Sequence, residues 1–188
     1  MGFRYEIRLS GSGGQGLILA GIILAEAAGI YDGRYVVQTQ SYGPEARGGV
    51  SKSEIVISDD EIDYPKVIKP DLLLAMNQSS CDEYFKDLKE NGILAVDSSL
   101  VVSIPTRKAL KIPFTTIAQR DLGKKFVANM VALGAISQIT DIISTKGIEA
   151  AIKARVPRGT ESLNIGAFKA GLEVAKELIK YLPIQHSQ

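Results

Sequence analysis

Gly11, Gly13 and Gly16 stand in the run GSGGQG, with Gly14 and Gln15 between them, and satisfy G-x-G-x-x-G. The chemistry open to such a turn is anion binding. Glycine lets the backbone bend sharply and approach a ligand closely, and a following helix offers N–H groups and the positive end of its dipole. A dinucleotide fingerprint also needs an acid at the end of the second strand, for the ribose hydroxyls. Here that strand ends in Gln38, Thr39, Gln40 and Ser41, and Asp32 lies in the turn before it. The same glycines also suit tight strand–helix packing, so both readings stand. No Walker lysine follows them, which excludes an ATPase P-loop.

A second unusual segment, SYGPEARGGV over residues 41–50, places Tyr42, Glu45 and Arg47 among Gly43, Gly48, Gly49 and Pro44. Arg47 is able to pair bidentately with a phosphate or carboxylate. It is equally able to pair with Glu45 inside the loop, and Gly48 and Gly49 then supply only positive φ angles. Other chemistry is scarce. Cys81 is the sole cysteine and His186, near the end of the chain, the sole histidine. That leaves no Ser–His–Asp set, no zinc site of the usual kinds and no internal disulfide. Cys81 opens a helix without a histidine nearby in sequence and reads as a small apolar residue. Asp59, Asp60, Glu61 and Asp63 read as a solvated turn. The residues display no catalytic side chain and no metal site.

The elements that must position these groups alternate. Phe3–Ser10, Tyr35–Gln40, Ser51–Ile57, Asp71–Met76, Ile93–Asp97 and Phe114–Ala118 read as strands, the fourth and fifth apolar enough to be buried on both faces. A helix follows the glycine turn, another spans residues 79–90 with Ser79 or Ser80 as its cap, and the chain from Asp121 onward is helical in three pieces. Residues 41–50, 59–70 and 98–113 are irregular. The expectation is an α/β fold: one Rossmann-like, mainly parallel sheet with helices on both faces. The chain has 188 residues, 45% of them apolar, which is enough for one core, so residues 1–188 are expected to form a single domain with 183–188 as a tail. Lys and Arg number 22 against 21 Asp and Glu. That balance excludes a nucleic-acid wrapper or a polybasic membrane binder. No apolar run reaches the roughly 20 residues of a membrane span and no leader opens the chain, so a cytoplasmic location is expected.

Three helical stretches are nearly all apolar. Leu17–Ala28 carries Glu26 alone as a polar residue, and Val127–Ile136 carries Asn129 alone. In the last helix Lys169, Glu173, Lys176, Glu177 and Lys180 share one arc, flanked by apolar residues on both sides. Either these helices cover each other within one chain, or part of the surface is a permanent subunit interface.

Taken in order, GSGGQG, LILAGIILAEAA, TQSYGPEARGGVSKSEIVIS, DEIDYP, PDLLLAMNQ, NMVALGA and VPRGTESLNIGAFKAG resemble the gamma subunit of 2-oxoacid:ferredoxin oxidoreductases. The loop SYGPEARGG is more similar to the 2-oxoglutarate branch than to the pyruvate branch. The resemblance runs from Gly11 to about Gly171. It implies membership of a multisubunit enzyme that decarboxylates a 2-oxoacid on thiamine diphosphate, passes electrons through iron–sulfur clusters to ferredoxin, and acylates coenzyme A. It implies alpha, beta and ferredoxin-like delta partner subunits, which hold the thiamine diphosphate and the clusters, and it allows a homodimer of the isolated chain. One cysteine cannot hold a four-cysteine cluster, so this chain is expected to bind no cofactor tightly. The alternative is a free-standing dinucleotide- or coenzyme A-binding domain. Gly11, Gly13, Gly14, Gln15, Gly16, Tyr42, Glu45, Arg47, Gly48 and Gly49 are the candidate ligand contacts, facing partner subunits or the phosphates of coenzyme A. Arg47→Ala in the assembled enzyme is expected to weaken coenzyme A use or assembly, as read by coenzyme A-dependent ferredoxin reduction and by gel filtration.

Overall fold

Ile7 and Leu9 alternate with Glu6, Arg8 and Ser10, and this period of two is the pleat of β1 (Arg4–Ser12). The computed structural model describes residues 2–42, 50–106 and 108–180. Around β1 lie β2 (Tyr35–Tyr42), β3 (Val50–Ser58), β4 (Leu72–Ala75), β5 (Ile93–Asp97) and β6 (Leu110–Ile112), in the order β2-β3-β1-β4-β5-β6. β1, β4, β5 and β6 are paired in parallel, whereas β3 runs antiparallel to both β1 and β2. The sheet is therefore mainly parallel, as expected, with one reversed strand placed between the first and second strands of the chain.

The two faces are covered unequally. Ile7, Leu9, Ile55, Ile57, Leu72 and Leu74 belong to a large core shared with the helices of one side. These are α1 (Leu17–Glu26, continued by a π-helical turn Ala27–Tyr31), α3 (Phe114–Leu122), α4 (Ala128–Thr140), α5 (Thr145–Arg155) and α6 (Glu161–Ile179). On the other face Leu73, Ala75, Leu94 and Val96 lie under Cys81, Tyr84 and Val101, which come from α2 (Gln78–Tyr84) and the segment after β5. Burial pushes the Cys81 thiol up, and the charge of Asp82 adds to it, so the thiolate is disfavoured and the residue acts as a small apolar one.

Beneath residues 59–70 the same face turns polar. Arg8 is 3% exposed, so its charge must be met inside the protein. Its Nε donates to Glu54 at 2.7 Å, one terminal nitrogen to Asp87 at 2.6 Å, and the other to the Val67 carbonyl at 3.3 Å. The guanidinium also lies 4.9 Å from the centre of the Tyr84 ring. This set fastens α2 and the 59–70 segment to β1. In that segment Asp59 pairs with Arg34, while Asp60, Glu61 and Asp63 are exposed, as a solvated turn requires.

Three expectations are corrected. Phe114–Ala118 is the start of α3 and not a strand; the last strand is β6, inside the stretch read as irregular. Phe114, Ile117 and Ala118 are buried at i, i+3 and i+4, a helical period that five residues of sequence are too short to reveal. The first of the three helical pieces expected from Asp121 onward is broken at Gly123, which takes φ +69 and caps α3; a 3₁₀ turn, Lys125–Val127, leads into α4. The cap of α2 is Asn77, two to three residues before the serines expected there, and it accepts from the Ser80 N–H at 2.8 Å.

The apolar helices largely cover each other. α4 is buried from Ala128 to Ser137, enclosed by neighbours on every side, which accounts for its composition without a subunit interface. Its contact with α6 is glycine against backbone. A Cβ on Gly134 would lie 2.0 Å from the Phe168 carbonyl oxygen, and one on Gly171 would lie 1.9 Å from that of Val131. Neither oxygen can retreat without moving its helix. Gly166, in the same helix, meets only a Leu122 methyl at 3.3 Å. Gly134→Ala and Gly171→Ala are therefore expected to lower stability by about 1–3 kcal/mol or more. Gly166→Ala should leave it unchanged or raise it by up to about 1 kcal/mol through helix propensity. Urea unfolding of the three variants checks the order.

Candidate functional site

The chain builds β2 and β3 on one side of β1 and then crosses to build β4, β5 and β6 on the other. In open α/β sheets a crevice forms outside the carboxyl ends of the strands at such a switch point. Here it lies between the glycine turn after β1 and Met76–Asn77 after β4.

Side chains hold the glycine turn from three directions. The Gln15 amide oxygen accepts the Ser12 N–H at 2.7 Å, and its nitrogen donates to the Met76 carbonyl at 3.1 Å. Asn77, besides capping α2, donates to the Ser12 hydroxyl at 2.6 Å. Asn129, the lone polar residue noticed in an apolar stretch, donates from the start of α4 to the Gly16 carbonyl at 3.0 Å. Gly14 and Gly16 take φ +89 and +73, values that a side chain disfavours. Gly16 is the N-cap of α1 and supplies no side-chain cap, so the first-turn N–H groups receive no side-chain oxygen. Of the expected contacts, Gly13 and Gly14 are exposed beside the crevice, whereas Gln15 is a brace within the turn.

The crevice is a cavity of about 380 Å³ bounded by Gly14, Gln15, Met76, Leu100, Thr115 and Lys125. Leu100, Thr115 and Lys125 also bound an adjoining cavity of about 330 Å³, which extends to Ser99, Thr116 and Arg120. The wall between them rests on Asp97, which ends β5 with no exposure to solvent. Asp97 accepts from the Ser99 N–H at 3.0 Å, from the Thr115 N–H at 3.1 Å and from the Thr115 hydroxyl at 2.5 Å. Leu100 and Phe126, which bound the crevice, are exposed at 43% and 60% and give it an apolar rim. Sequence reasoning missed Asp97, Thr115 and Lys125. The available signal was an acid at the carboxyl end of a buried strand, ILAVD.

The second expected cluster divides. Tyr42 is 66% exposed on the edge strand β2 and pairs with Ser51, which in turn pairs with Gly11. Two strand spacings, about 10 Å, thus separate it from the glycine turn. Glu45, Arg47, Gly48 and Gly49 lie outside the described residues. The reversed β3 also tells against the dinucleotide alternative. A ribose-binding acid belongs on the strand adjacent to the glycine-bearing one, and here that neighbour is β3. Asp32 sits at the opposite edge of the sheet, roughly a strand length or about 25 Å away. There it accepts from the Ser144 N–H at 2.7 Å and from its hydroxyl at 2.5 Å, holding the start of α5. Among the described residues no cluster of His, Cys, Asp and Glu is placed to hold a metal ion.

Sheet order, glycine turn and braced crevice define an α/β domain with an open crevice at the carboxyl edge of its sheet. The chain belongs to the pyruvate ferredoxin/flavodoxin oxidoreductase family, whose profile matches residues 6–174. It is 55% identical to the 2-oxoglutarate synthase subunit KorC of Methanocaldococcus jannaschii, over 93% of this chain and 96% of that protein. The crystal structure of a keto/oxoacid ferredoxin oxidoreductase gamma subunit from Geobacter sulfurreducens is 50% identical. It superposes with a TM-score of 0.83 over 92% of this chain and 99% of its own. A 2-oxoglutarate:ferredoxin oxidoreductase from Magnetococcus marinus, solved with 2-oxoglutarate, coenzyme A and succinyl-CoA bound, shares the fold. Its TM-score is 0.84 at 23% identity, over 98% of this chain and 33% of that one.

The two left-handed glycines separate conformational strain from steric conflict. A Cβ on Gly14 meets nothing within 4 Å, whereas one on Gly16 lies 2.4 Å from the Asn129 amide. Gly14→Ala is expected to cost about 1–2 kcal/mol, from the left-handed backbone alone. Gly16→Ala should cost at least about 1 kcal/mol more, because the Asn129 bond is lost as well. Equal losses in chemical denaturation would contradict this account of the turn.

Proposed function

We propose that this chain is the gamma-type subunit of a heteromeric 2-oxoglutarate:ferredoxin oxidoreductase. The observation that carries the reading is the 55% identity to a 2-oxoglutarate synthase subunit along 96% of that subunit's length. In this reading 2-oxoglutarate is decarboxylated on thiamine diphosphate, its electrons pass through iron–sulfur clusters to ferredoxin, and the acyl group passes to coenzyme A. Alpha, beta and ferredoxin-like delta partners hold the thiamine diphosphate and the clusters. The donor set here fits that division, because the single, buried cysteine offers no ligand set for a cluster.

What this chain supplies is a wall of the coenzyme A path. The crevice at the switch point, with the uncapped start of α1 on one side and Lys125 on the other, suits phosphate groups. The adjoining cavity continues it toward Thr116 and Arg120, as a long ligand needs. The apolar rim of Leu100 and Phe126 marks the point where partner subunits would close over that ligand and exclude water. The described residues include no helix long and apolar enough to cross a membrane.

The test is co-purification of the tagged chain from its native cells, followed by ferredoxin reduction with 2-oxoglutarate and coenzyme A. Recovery with a thiamine diphosphate-binding pair and a ferredoxin-like chain, active on 2-oxoglutarate, is the expected result. Recovery alone, or activity confined to another 2-oxoacid, overturns it. Within the assembled enzyme Lys125→Gln should raise KM for coenzyme A about tenfold, equivalent to about 1.4 kcal/mol, with kcat retained.

A further inference from the structure

Thr115 lines both cavities, and the one proton of its hydroxyl is already committed to Asp97. A threonine hydroxyl carries one donor hydrogen and two acceptor lone pairs. At 2.5 Å that hydrogen points to the buried Asp97 side chain, which accepts it. The carboxylate is itself fixed by two backbone N–H groups, so it cannot turn away. A ligand in the crevice therefore meets Thr115 as an acceptor, polarised by the charge behind it. The neighbouring pair is different. Ser99 Oγ and Thr116 Oγ1 lie 2.9 Å apart and either is able to donate, so they can present a proton or a lone pair.

We infer that Thr115, positioned by Asp97, is a specificity determinant that recognises an N–H donor of the bound ligand and turns phosphate away from the middle of the crevice. The inference rests on the reading of the crevice as a coenzyme A path and adds a direction to it. Phosphate oxygens only accept, and Asp97 behind Thr115 repels them. They are left to the start of α1 and to Lys125, while the N–H groups of the ligand face Thr115. Coenzyme A holds two kinds of such donor, the adenine amine and the amides of the pantetheine arm.

The experiment uses the assembled enzyme and follows coenzyme A-dependent ferredoxin reduction. Thr115→Val is expected to raise KM for coenzyme A about tenfold with kcat retained, the loss of one hydrogen bond to a charge-backed acceptor. Thr115→Ser, which keeps the hydroxyl, should restore the native KM. Asp97→Asn keeps every hydroxyl but lets an amide donate to Thr115; it should raise KM as Thr115→Val does, and it serves if the valine variant fails to assemble. Adenosine 3′,5′-bisphosphate as a competitive inhibitor tells the donors apart. A Ki that rises with KM identifies the adenine amine, and an unchanged Ki identifies a pantetheine amide. A native KM in both Thr115→Val and Asp97→Asn, with Lys125→Gln still impaired, overturns this inference and leaves the coenzyme A path standing. A native KM in all three overturns both. A loss of kcat at native KM in the Thr115 and Asp97 variants also overturns the inference, because it reports damage to the fold and not to recognition.

Discussion

Helix α4 lies against α6 only because Gly134 and Gly171 leave room for the opposite backbone at their crossing. That contact fixes the depth at which α4 sits, and the depth decides where Asn129 at its first turn can reach. From there the Asn129 amide holds the Gly16 carbonyl, and Gly16 begins α1. The start of α1 is thus located by two glycines on the far side of a buried helix. Packing without side chains, in the second layer of helices, sets the geometry of a polar turn in the first. Close-packed interiors transmit displacement in this way, since they have little space in which to absorb it.

The crevice combines opposite polarities within one small volume. At the glycine turn there are donors, backbone N–H groups at a helix start, and across from them the ammonium of Lys125. At the end of β5 a buried carboxylate turns Thr115 into an acceptor. A ligand that is uniformly anionic satisfies only the first half, and one that is uniformly neutral only the second. Among the described residues that bound the crevice there is no histidine, cysteine, aspartate or glutamate. The reversed strand β3 also moves the second strand of the chain away from β1.

Much of the architecture was legible. LILAGIILAEAA after GSGGQG, and the apolar runs DLLLAM and ILAVD, report α1, β4 and β5 through periodicity and uninterrupted burial. The strand order was not, since pairing is a long-range choice that alternating residues in Ser51–Ile57 do not encode. FTTIA was misread because an apolar residue at each end of a short run fits a strand as well as a helix. It is Pro113, Gly123 and the Asp97 cap that make it helical. In the site, Gly16 belongs to the glycine spacing that the sequence displays, but Asn129, Asp97 and Thr115 belong to no motif. Their importance lies in what they touch across 113, 18 and 18 residues of chain. Asn129 stood out as a lone polar group, and only the fold gives it a partner.

The order of synthesis gives the asymmetry of the two sheet faces a temporal meaning. The side bearing α2 is made of segments close together in the chain, whereas α1 waits for α4 and α5, which arrive about a hundred residues later. At roughly 5–20 residues per second, a ribosome leaves the apolar flank of Leu17–Ala28 uncovered for several seconds. During that interval the nascent chain carries a greasy helix and the uncharged strand YVVQTQ with no finished partner for either. The same residues that make the finished core dry make the half-made protein a natural client for chaperones.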